Sequence, residues 1–416
     1  MAEFIQWKVN SMKQKQELGS ATALFSREAI HTVKKFHSSF PQYSPTPLYS
    51  LPNLAQKLGV AGIYIKDESW RFGLNAFKVL GGSYAIARHM AGRLQRNINE
   101  LPFAVLTSSQ VKQQLGNITF ATTTDGNHGR GIAWTARQLG QRSVVYMPKG
   151  SSPYRLQAIR NEGAEASITD LNYDDTVRMT AAAARKHGWV MVQDTAWEGY
   201  QDIPAWIMQG YGTLAAEALE QLNAVNIQKP SHVFVQAGVG SLAGAVQGYF
   251  TDLFQNERPH MTIVESNQAD CFYQSVLAAD GKARKVGGDM ATIMAGLACG
   301  EPNLIGWNLL RDYSDSFAAC PDWVAASGMR ILGNPYGADP RIISGESGAV
   351  TLGLLSCLLT MPSLKKAKAA FNLNHQSNIL LFSTEGDTDP DKYRNIVWNG
   401  ECAASCAEHL YANYGN

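Results

Sequence analysis

The feature that most limits the fold of this 416-residue chain is a repeated alternation of short apolar strands and helices. Four predicted strands, at 118–123, 143–147, 165–169 and 189–193, are each followed by a helix. The alternation returns after Pro230, with further strands predicted at 232–236, 261–265 and 379–383. Such alternation is typical of parallel βαβ units, whose helices cover the faces of the sheet. We therefore predict an α/β protein with two doubly wound open sheets.

Charge and hydropathy favour a small-molecule partner over nucleic acid or a membrane. Lysine and arginine number 36 against 35 acidic residues, whereas nucleic acid and acidic membranes both select a basic excess. No apolar run approaches the roughly 20 residues of a membrane span, and residues 1–20 lack the apolar core of a secretory signal. We therefore expect a cytoplasmic protein that acts on a metabolite.

The six cysteines do not show the paired spacing of a zinc site. Cys402 and Cys406 are four residues apart on a predicted helix, and we predict no zinc site from this pair. A bridge between Cys271 and Cys299 is disfavoured in a reducing compartment. We therefore predict buried thiols and no metal site.

Lys78 stands at a predicted loop-to-helix junction, in Asn75-Ala76-Phe77-Lys78-Val79-Leu80-Gly81-Gly82. An ammonium among these apolar neighbours loses water, which favours its neutral and nucleophilic form. Most lysines in such contexts are surface residues that extend their ammonium into solvent. Lys78 is nevertheless the candidate for covalent attachment of a carbonyl compound.

A glycine-rich loop, Gly238-Val239-Gly240-Ser241-Leu242-Ala243-Gly244, follows the strand predicted at 232–236 and opens a helix. Its backbone N–H groups can close around an anion and the helix N-terminus adds favourable partial charge, so phosphate is the natural ligand. The spacing also resembles a dinucleotide fingerprint, with Glu265 where a ribose-binding acid belongs. A nicotinamide-dependent oxidoreductase is therefore an alternative, although it leaves Lys78 unexplained.

Two aspartates are predicted at strand ends, where open parallel sheets bind ligands. Asp125 lies in Thr124-Asp125-Gly126-Asn127-His128-Gly129, whose N–H groups suit a substrate carboxylate. Because an acid there repels such an anion, proton exchange suits Asp125 better. Asp194 precedes large aromatic residues, which we expect to raise its pKa towards neutrality. Each aspartate also fits a turn or a helix cap, and His128 is most simply a packed histidine.

Two further polar loops are candidates for the site. Ser383-Thr384-Glu385-Gly386-Asp387 follows an apolar strand and offers hydroxyl groups that can hydrogen-bond a ring nitrogen. Ser344-Gly345-Glu346-Ser347-Gly348 opens a helix, and the sequence assigns no role to Glu346.

Taken in order, the Lys78 segment, the Gly-Asn-His loop, the glycine loop and Ser-Thr-Glu-Gly-Asp resemble the fold-type II pyridoxal-phosphate enzymes, from about Pro45 to Asp389. Within that group, three segments are similar to those of the diaminopropionate ammonia-lyases: 125–130, 193–200 and 383–389. Many relatives have Ser, Ala or Thr where this chain has Asp125. The resemblance implies a tryptophan synthase β-like architecture and a homodimer. We assign residues 1–90 and 229–416 to a large cofactor-binding domain and 91–228 to a small α/β domain, with the active site between them.

The resemblance also implies roles for individual residues. Pyridoxal 5′-phosphate would be attached to Lys78, with its ring oxygen on Asn127 and its pyridine nitrogen on Ser383 or Thr384. Its phosphate would be held by Gly238, Val239, Gly240, Ser241, Leu242 and Gly244.

The implied reaction is cleavage of 2,3-diaminopropionate, as both D and L isomers, to pyruvate and two ammonia. A β-amino group leaves well only as an ammonium, which two carboxylates suit better than they suit a neutral hydroxyl. Our hypothesis is that Asp125 deprotonates the D isomer and Asp194 the L isomer, with Lys78 as a competing base. A serine or threonine dehydratase of the same fold is the nearest alternative, and a non-catalytic cofactor-binding protein is another.

Overall fold

The computed structural model describes residues 4–13 and 20–404. The strands in this part of the chain are β1 (Gln6–Val9), β2 (Leu48–Ser50), β3 (Gly62–Asp67), β4 (Thr119–Thr123), β5 (Arg142–Met147), β6 (Glu165–Ile168), β7 (Val190–Met191), β8 (His232–Gln236), β9 (His260–Ser266), β10 (Ser316–Cys320) and β11 (Asn378–Ser383).

Helices occupy most of the connections between these strands. The α-helices are α1 (Ser20–Ala23), α2 (Arg27–His37), α3 (Pro52–Leu58), α4 (Val79–Leu94), α5 (Phe103–Leu106), α6 (Ser109–Leu115), α7 (Asn127–Gln138), α8 (Pro153–Asn161), α9 (Tyr173–His187), α10 (Asp202–Ala224), α11 (Ser241–Phe254), α12 (Cys271–Ala278), α13 (Leu304–Tyr313), α14 (Asp322–Gly333), α15 (Glu346–Thr360), α16 (Lys365–Ala370) and α17 (Pro390–Val397). Short 3₁₀ helices lie at Glu68–Gly73, Ile98–Glu100, Gln255–Glu257, Ala295–Leu297 and Pro362–Leu364.

The strands of the described residues form two sheets. The larger has seven strands in the order β1-β10-β9-β8-β11-β3-β2, with parallel central strands and an antiparallel strand at each edge. The smaller has four parallel strands in the order β6-β5-β4-β7. In both sheets, the loops that follow the parallel strands lie at the same edge, where such sheets bind ligands.

Apolar side chains cover both faces of the large sheet. On β8, Val235 belongs to one hydrophobic cluster and Phe234 to a second one, and on β11 Leu380 and Leu381 divide in the same way. Successive side chains of a strand point to opposite faces, so the two clusters lie on opposite sides of the sheet. The α/β fold predicted from the sequence is confirmed.

The predicted domain limits stay a prediction. All strands of the four-stranded sheet lie within 91–228, and those of the seven-stranded sheet lie outside that range. Helix α10 also lies within 91–228, but it packs against α2, α4 and α11. This helix therefore packs against helices of the part that carries the seven-stranded sheet.

The strand predicted at 189–193 was too long, because β7 ends at Met191. The Thr123 N–H bonds to the side-chain Oε1 of Gln193 at 3.1 Å, in place of a strand partner. The Gln193 N–H bonds instead to the hydroxyl of Tyr200, at 2.8 Å. Three strands were missed: β1 and β2 are short edge strands, and β10 is rich in small residues.

The thiols of Cys271, Cys299, Cys320 and Cys402 form no disulfide, Cys357 is buried, and the Cys271 Sγ lies 3.9 Å from the backbone oxygen of Cys299. Cys406 lies outside the described residues. Across 4–13 and 20–404, no single helix is both long and apolar enough to span a membrane. The segments Glu346–Thr360 and Pro362–Ala370 meet that test only as a pair, which is bent by 91°.

Candidate active site

Most of the residues predicted to form the site line one cavity. The cavity encloses about 710 Å³, part of it open to solvent. Its lining includes Lys78, Asp125, Asn127, Asp194, Gly238, Val239, Gly240, Ser241, Leu242 and Thr384. Gly244 and Ser383 do not line it: Gly244 packs inside α11 against Gly306, and the Ser383 hydroxyl donates to Ser344 at 2.9 Å.

Lys78 immediately precedes α4, as predicted. The loop that carries it is bound to the loop after β11, because the Phe77 N–H donates to the Thr384 carbonyl at 3.1 Å and Ala76 pairs with Glu385. Two motifs that are about 300 residues apart in the sequence are therefore neighbours in space. Their contact places Lys78 Nζ in the cavity.

The Lys78 ammonium lies 2.5 Å from Oδ2 of Asp194, and the sequence prediction for both charges was wrong. Burial lowers the pKa of Lys78, but the Asp194 carboxylate, together with Tyr211 and Asp125, more than offsets burial and the net pKa is raised. Burial raises the pKa of Asp194, but Lys78, together with His128, more than offsets burial and lowers the pKa to about 2. The prediction considered each residue in its apolar surroundings without the other, whereas the structure pairs them as ions.

The backbone carbonyl of Asp194 accepts hydrogen bonds from two side chains, those of Ser241 and Asn303. Ser241 Oγ donates to it at 2.5 Å and Asn303 Nδ2 at 3.1 Å. The same Asn303 amide donates to Ser241 Oγ at 2.8 Å, and its Oδ1 caps α13 by accepting from the N–H of Ile305. Asn303, which the sequence analysis missed, therefore fixes Asp194 to the glycine loop.

Exchanging Asn303 for aspartate separates these two roles, because a carboxylate still caps α13 but cannot donate to Asp194 or Ser241. Under the hypothesis that Asp194 serves the L isomer, we expect turnover of L-diaminopropionate to fall about tenfold. This is the effect of losing a buried hydrogen bond of about 1.4 kcal/mol, and a smaller loss is expected for D-diaminopropionate. Initial rates on each isomer measure this, and Asn303→Ala, which loses the cap as well, is the comparison. Equal losses on both isomers in Asn303→Asp would contradict the assignment.

Asp125 approaches the cavity from the loop after β4, the strand next to β7. Its side chain is 29% exposed, and its Oδ2 accepts a hydrogen bond from Arg155 Nη1 at 3.3 Å. Burial raises the pKa of Asp125, while Arg155 and Lys78 oppose that shift. The two aspartates therefore differ: the pKa of Asp194 is lowered, which keeps it ionised, whereas the pKa of Asp125 is raised.

Asn127, the first residue of α7, donates to Oε2 of Glu385 at 2.6 Å. Glu385, which also lines the cavity, was missed as a partner because it is 258 residues away. Beside it, burial and Glu385 raise the pKa of Glu346 to about 7. His128 is buried with Nε2 2.8 Å from the Val192 carbonyl, as the packed interpretation predicted.

The glycine loop fits a phosphate group. Gly240 has φ +87°, and a Cβ there would lie 2.3 Å from the Phe272 ring, so no other residue can take this position without strain. The first intrahelical bond of α11 is from Gly244 to Gly240, which leaves the N–H groups of Ser241, Leu242 and Ala243 available to an anion.

Two hydroxyl groups in the lining of the cavity, those of Ser347 and Thr384, fit a polar ring. The buried hydroxyl of Ser347 has no hydrogen-bond partner. Thr384 Oγ1 accepts from Gln236 Nε2 at 2.8 Å, which leaves its own proton free to donate. A cavity with an anion site and hydroxyl groups matches a phosphorylated pyridine such as pyridoxal 5′-phosphate.

The structure does not support the nicotinamide-dependent alternative, because Glu265 is not available to bind a ribose. Glu265 is fully buried, and its two oxygens accept from the N–H groups of Phe272 at 2.9 Å and Tyr273 at 2.7 Å. Those bonds place it at the start of α12, where it acts as a helix cap and not as a ribose ligand.

Comparison with known proteins identifies the family. Residues 40–371 match the family of pyridoxal-phosphate dependent enzymes. The diaminopropionate ammonia-lyase of Salmonella typhimurium is 52% identical over 97% of this chain and 100% of the relative. The chain belongs to the diaminopropionate ammonia-lyase family. The resemblance inferred from the sequence and the predicted cofactor are confirmed.

Crystal structures of this family agree with the fold. The selenomethionine holo form of the Escherichia coli diaminopropionate ammonia-lyase matches with a TM-score of 0.90 and 50% identity, over 97% of this chain and 99% of that one. The E. coli enzyme in complex with D-serine matches with the same TM-score, identity and coverage. The seven- and four-stranded sheets described above are thus the architecture of the diaminopropionate ammonia-lyase family.

Proposed function

We propose that this protein cleaves 2,3-diaminopropionate to pyruvate and two ammonia, with pyridoxal 5′-phosphate as its cofactor. The observation that carries the proposal is the presence of two carboxylates, Asp125 and Asp194, in one cavity with Lys78. A cationic β-amino arm gains from such acids, whereas the neutral hydroxyl of serine or threonine does not. The D-serine complex of the E. coli relative supports access of the D configuration to a cavity of this kind.

The residues that would hold the cofactor follow from the geometry. Lys78 would bind it covalently, the N–H groups of 238–242 its phosphate, and Asn127 its ring oxygen. For the pyridine nitrogen we favour Thr384, since the Ser383 hydroxyl donates to Ser344. A hydroxyl partner leaves that nitrogen largely unprotonated, which favours elimination over transamination. When bound, the cofactor withdraws electrons from the substrate Cα and so makes its proton acidic.

Asp125 and Asp194 then act as bases at the Cα proton. They reach the cavity from adjacent strands, β4 and β7, and we infer that they approach a bound substrate from different directions. The enantiomers differ in the direction of their Cα–H bond, which gives each aspartate one isomer: Asp125 the D isomer and Asp194 the L isomer. Lys78, 2.5 Å from Asp194, is placed to exchange protons with it.

The β-amino group leaves after the Cα proton has been removed. The carboxylates stabilise it as an ammonium, and it leaves as the first ammonia while a double bond forms between Cα and Cβ. The released 2-aminoacrylate takes up one water and gives pyruvate and the second ammonia. One substrate and one water thus account for one pyruvate and two ammonia.

Turnover on competing substrates tests the proposal against a dehydratase. We expect pyruvate formation from diaminopropionate with kcat/KM about 10²-fold above that for serine, in keeping with the discrimination that one substrate group provides. Threonine, assayed as 2-oxobutyrate, is expected to react more slowly still because the cavity must also take its methyl group. A kcat/KM for serine or threonine equal to or above that for diaminopropionate would favour the dehydratase.

We also infer that the protein forms a homodimer and works in the cytoplasm. The family resemblance supports the dimer, and the near-neutral charge balance supports a metabolic enzyme.

A further inference from the structure

Arg155 is a buried cation beside the active site that the reaction scheme above does not use. It lies in the first turn of α8, and its side chain is 6% exposed. Nη1 donates to Asp125 Oδ2 at 3.3 Å and Nη2 donates to Thr388 Oγ1 at 3.2 Å, while Nε is buried without a partner. Its guanidinium therefore bridges the loop after β4 and the loop after β11.

The backbone beside Asp125 is shaped to admit this guanidinium. Gly126 follows Asp125, and a Cβ at Gly126 would lie 2.8 Å from Cδ of Arg155. Any larger residue would therefore displace the arginine stem from Asp125. The contact between Arg155 and Asp125 is thus built into the loop and does not result from a flexible surface chain.

The surroundings of Arg155 carry more acids than bases. Asp125, Glu385, Glu346 and Asp389 all act on its charge. Asp125 itself is surrounded by titratable groups of both signs from every neighbouring element. The cations are Arg155 of α8 and Lys78 before α4, and the acids are Glu385 after β11 and Asp194 after β7. The remaining groups are His128 of α7, Tyr173 of α9 and Cys299. Lys78 is already paired with Asp194, so Arg155 is the cation that contacts Asp125 directly.

We propose that Arg155 is a positioning residue that holds Asp125 as a carboxylate facing the cavity, and thereby sets the lower pH limit for turnover of the D isomer. The inference rests on the proposed function, in which Asp125 removes the Cα proton of that isomer. Asp194 has its own counter-charge in Lys78, so turnover of the L isomer does not depend on Arg155.

The direction of the effect follows from charge. Burial and Glu385 raise the pKa of Asp125, and Arg155 and Lys78 lower it. Removing the Arg155 charge therefore raises the pKa further, and Asp125 is protonated over a wider range of pH. A protonated Asp125 cannot accept the substrate proton, so the D reaction is lost from the acidic side first.

The test compares Arg155→Gln, which loses the charge but keeps an amide donor, with Arg155→Lys, which keeps the charge. For Arg155→Gln we expect the acidic limb of kcat/KM on D-diaminopropionate to move up by at least about one pH unit, the lower end of what a neighbouring opposite charge contributes. The limb for L-diaminopropionate is expected to stay in place. Arg155→Lys is expected to leave the D limb close to that of wild type, because it keeps the positive charge.

Equal losses on both isomers with no movement of the D limb would overturn the proposal and leave Arg155 a structural residue. Asp125→Asn assayed in the same series tests the proposed function separately: if it lowers both isomers equally, the division between the aspartates fails, whatever Arg155→Gln does. Should Arg155→Gln not fold, the double variant Asp125→Asn/Arg155→Gln decides. If the double variant folds, the charge of Arg155 is needed because of Asp125, as proposed. If it does not fold, Arg155 is needed to balance Glu385, Glu346 and Asp389, and the proposal is overturned.

Discussion

Replacing Lys78 with alanine is expected to abolish pyruvate formation from both isomers and to remove the visible absorbance of the bound cofactor. The variant loses the only amine that lines the cavity among the described residues, and with it both the covalent attachment and a proton-transfer group. Loss of a positioned acid or base alone costs about 10²–10⁴ in rate, so we expect a fall of at least about 10³. The absorption spectrum of the purified protein and a pyruvate assay measure the two effects.

The matched control for Lys78→Ala is Lys149→Ala. Lys149 is exposed and lines the neighbouring cavity that shares Asp125 with the active site, so it tests a nearby loss of positive charge. We expect this control to keep the colour and the turnover of wild type. A coloured, active Lys78→Ala protein would show that the cofactor is attached elsewhere.

Asp125→Asn is expected to lower turnover of D-diaminopropionate by about 10²–10⁴, the range typical of losing one general base. Turnover of L-diaminopropionate is expected to change much less. Asp194→Asn is expected to do the reverse. Some loss on the second isomer is expected from Asp194→Asn, because the change also removes the counter-charge of Lys78 and lowers the pKa of that lysine. Initial rates on each enantiomer, over a range of pH, provide the measurement.

Asp289→Asn is the control for the aspartate variants, since Asp289 is exposed at the neighbouring cavity and touches neither Lys78 nor Asp194. It is expected to leave both rates unchanged. If each active-site variant lost both isomers to the same degree, a single base, most simply Lys78, would serve both.

Local signals were sufficient for much of the site. A lysine before a helix, a glycine loop after a strand and an acid at a strand end are each recognisable within about ten residues, because helix and strand periodicity changes at these points. Each parallel sheet brings such points to its own carboxyl edge, and the order of the motifs predicted that Lys78, Asp125 and Gly238 belong to one site.

Long-range contacts account for what the sequence analysis missed or misjudged. Asn303 lies 109 residues from the Asp194 carbonyl that it binds, and no local pattern marks it. The pKa predictions for Lys78 and Asp194 had the wrong sign because the partner of each residue is 116 positions away. The sequence assigned no role to Arg155, because the Asp125 that it contacts is 30 positions away.

The most direct test of the division between the two aspartates is to let each variant act on racemic diaminopropionate until half of it is consumed. The chirality of the remaining diaminopropionate is then determined. The account predicts that Asp125→Asn leaves the D isomer and that Asp194→Asn leaves the L isomer. A racemic remainder from both variants would contradict it.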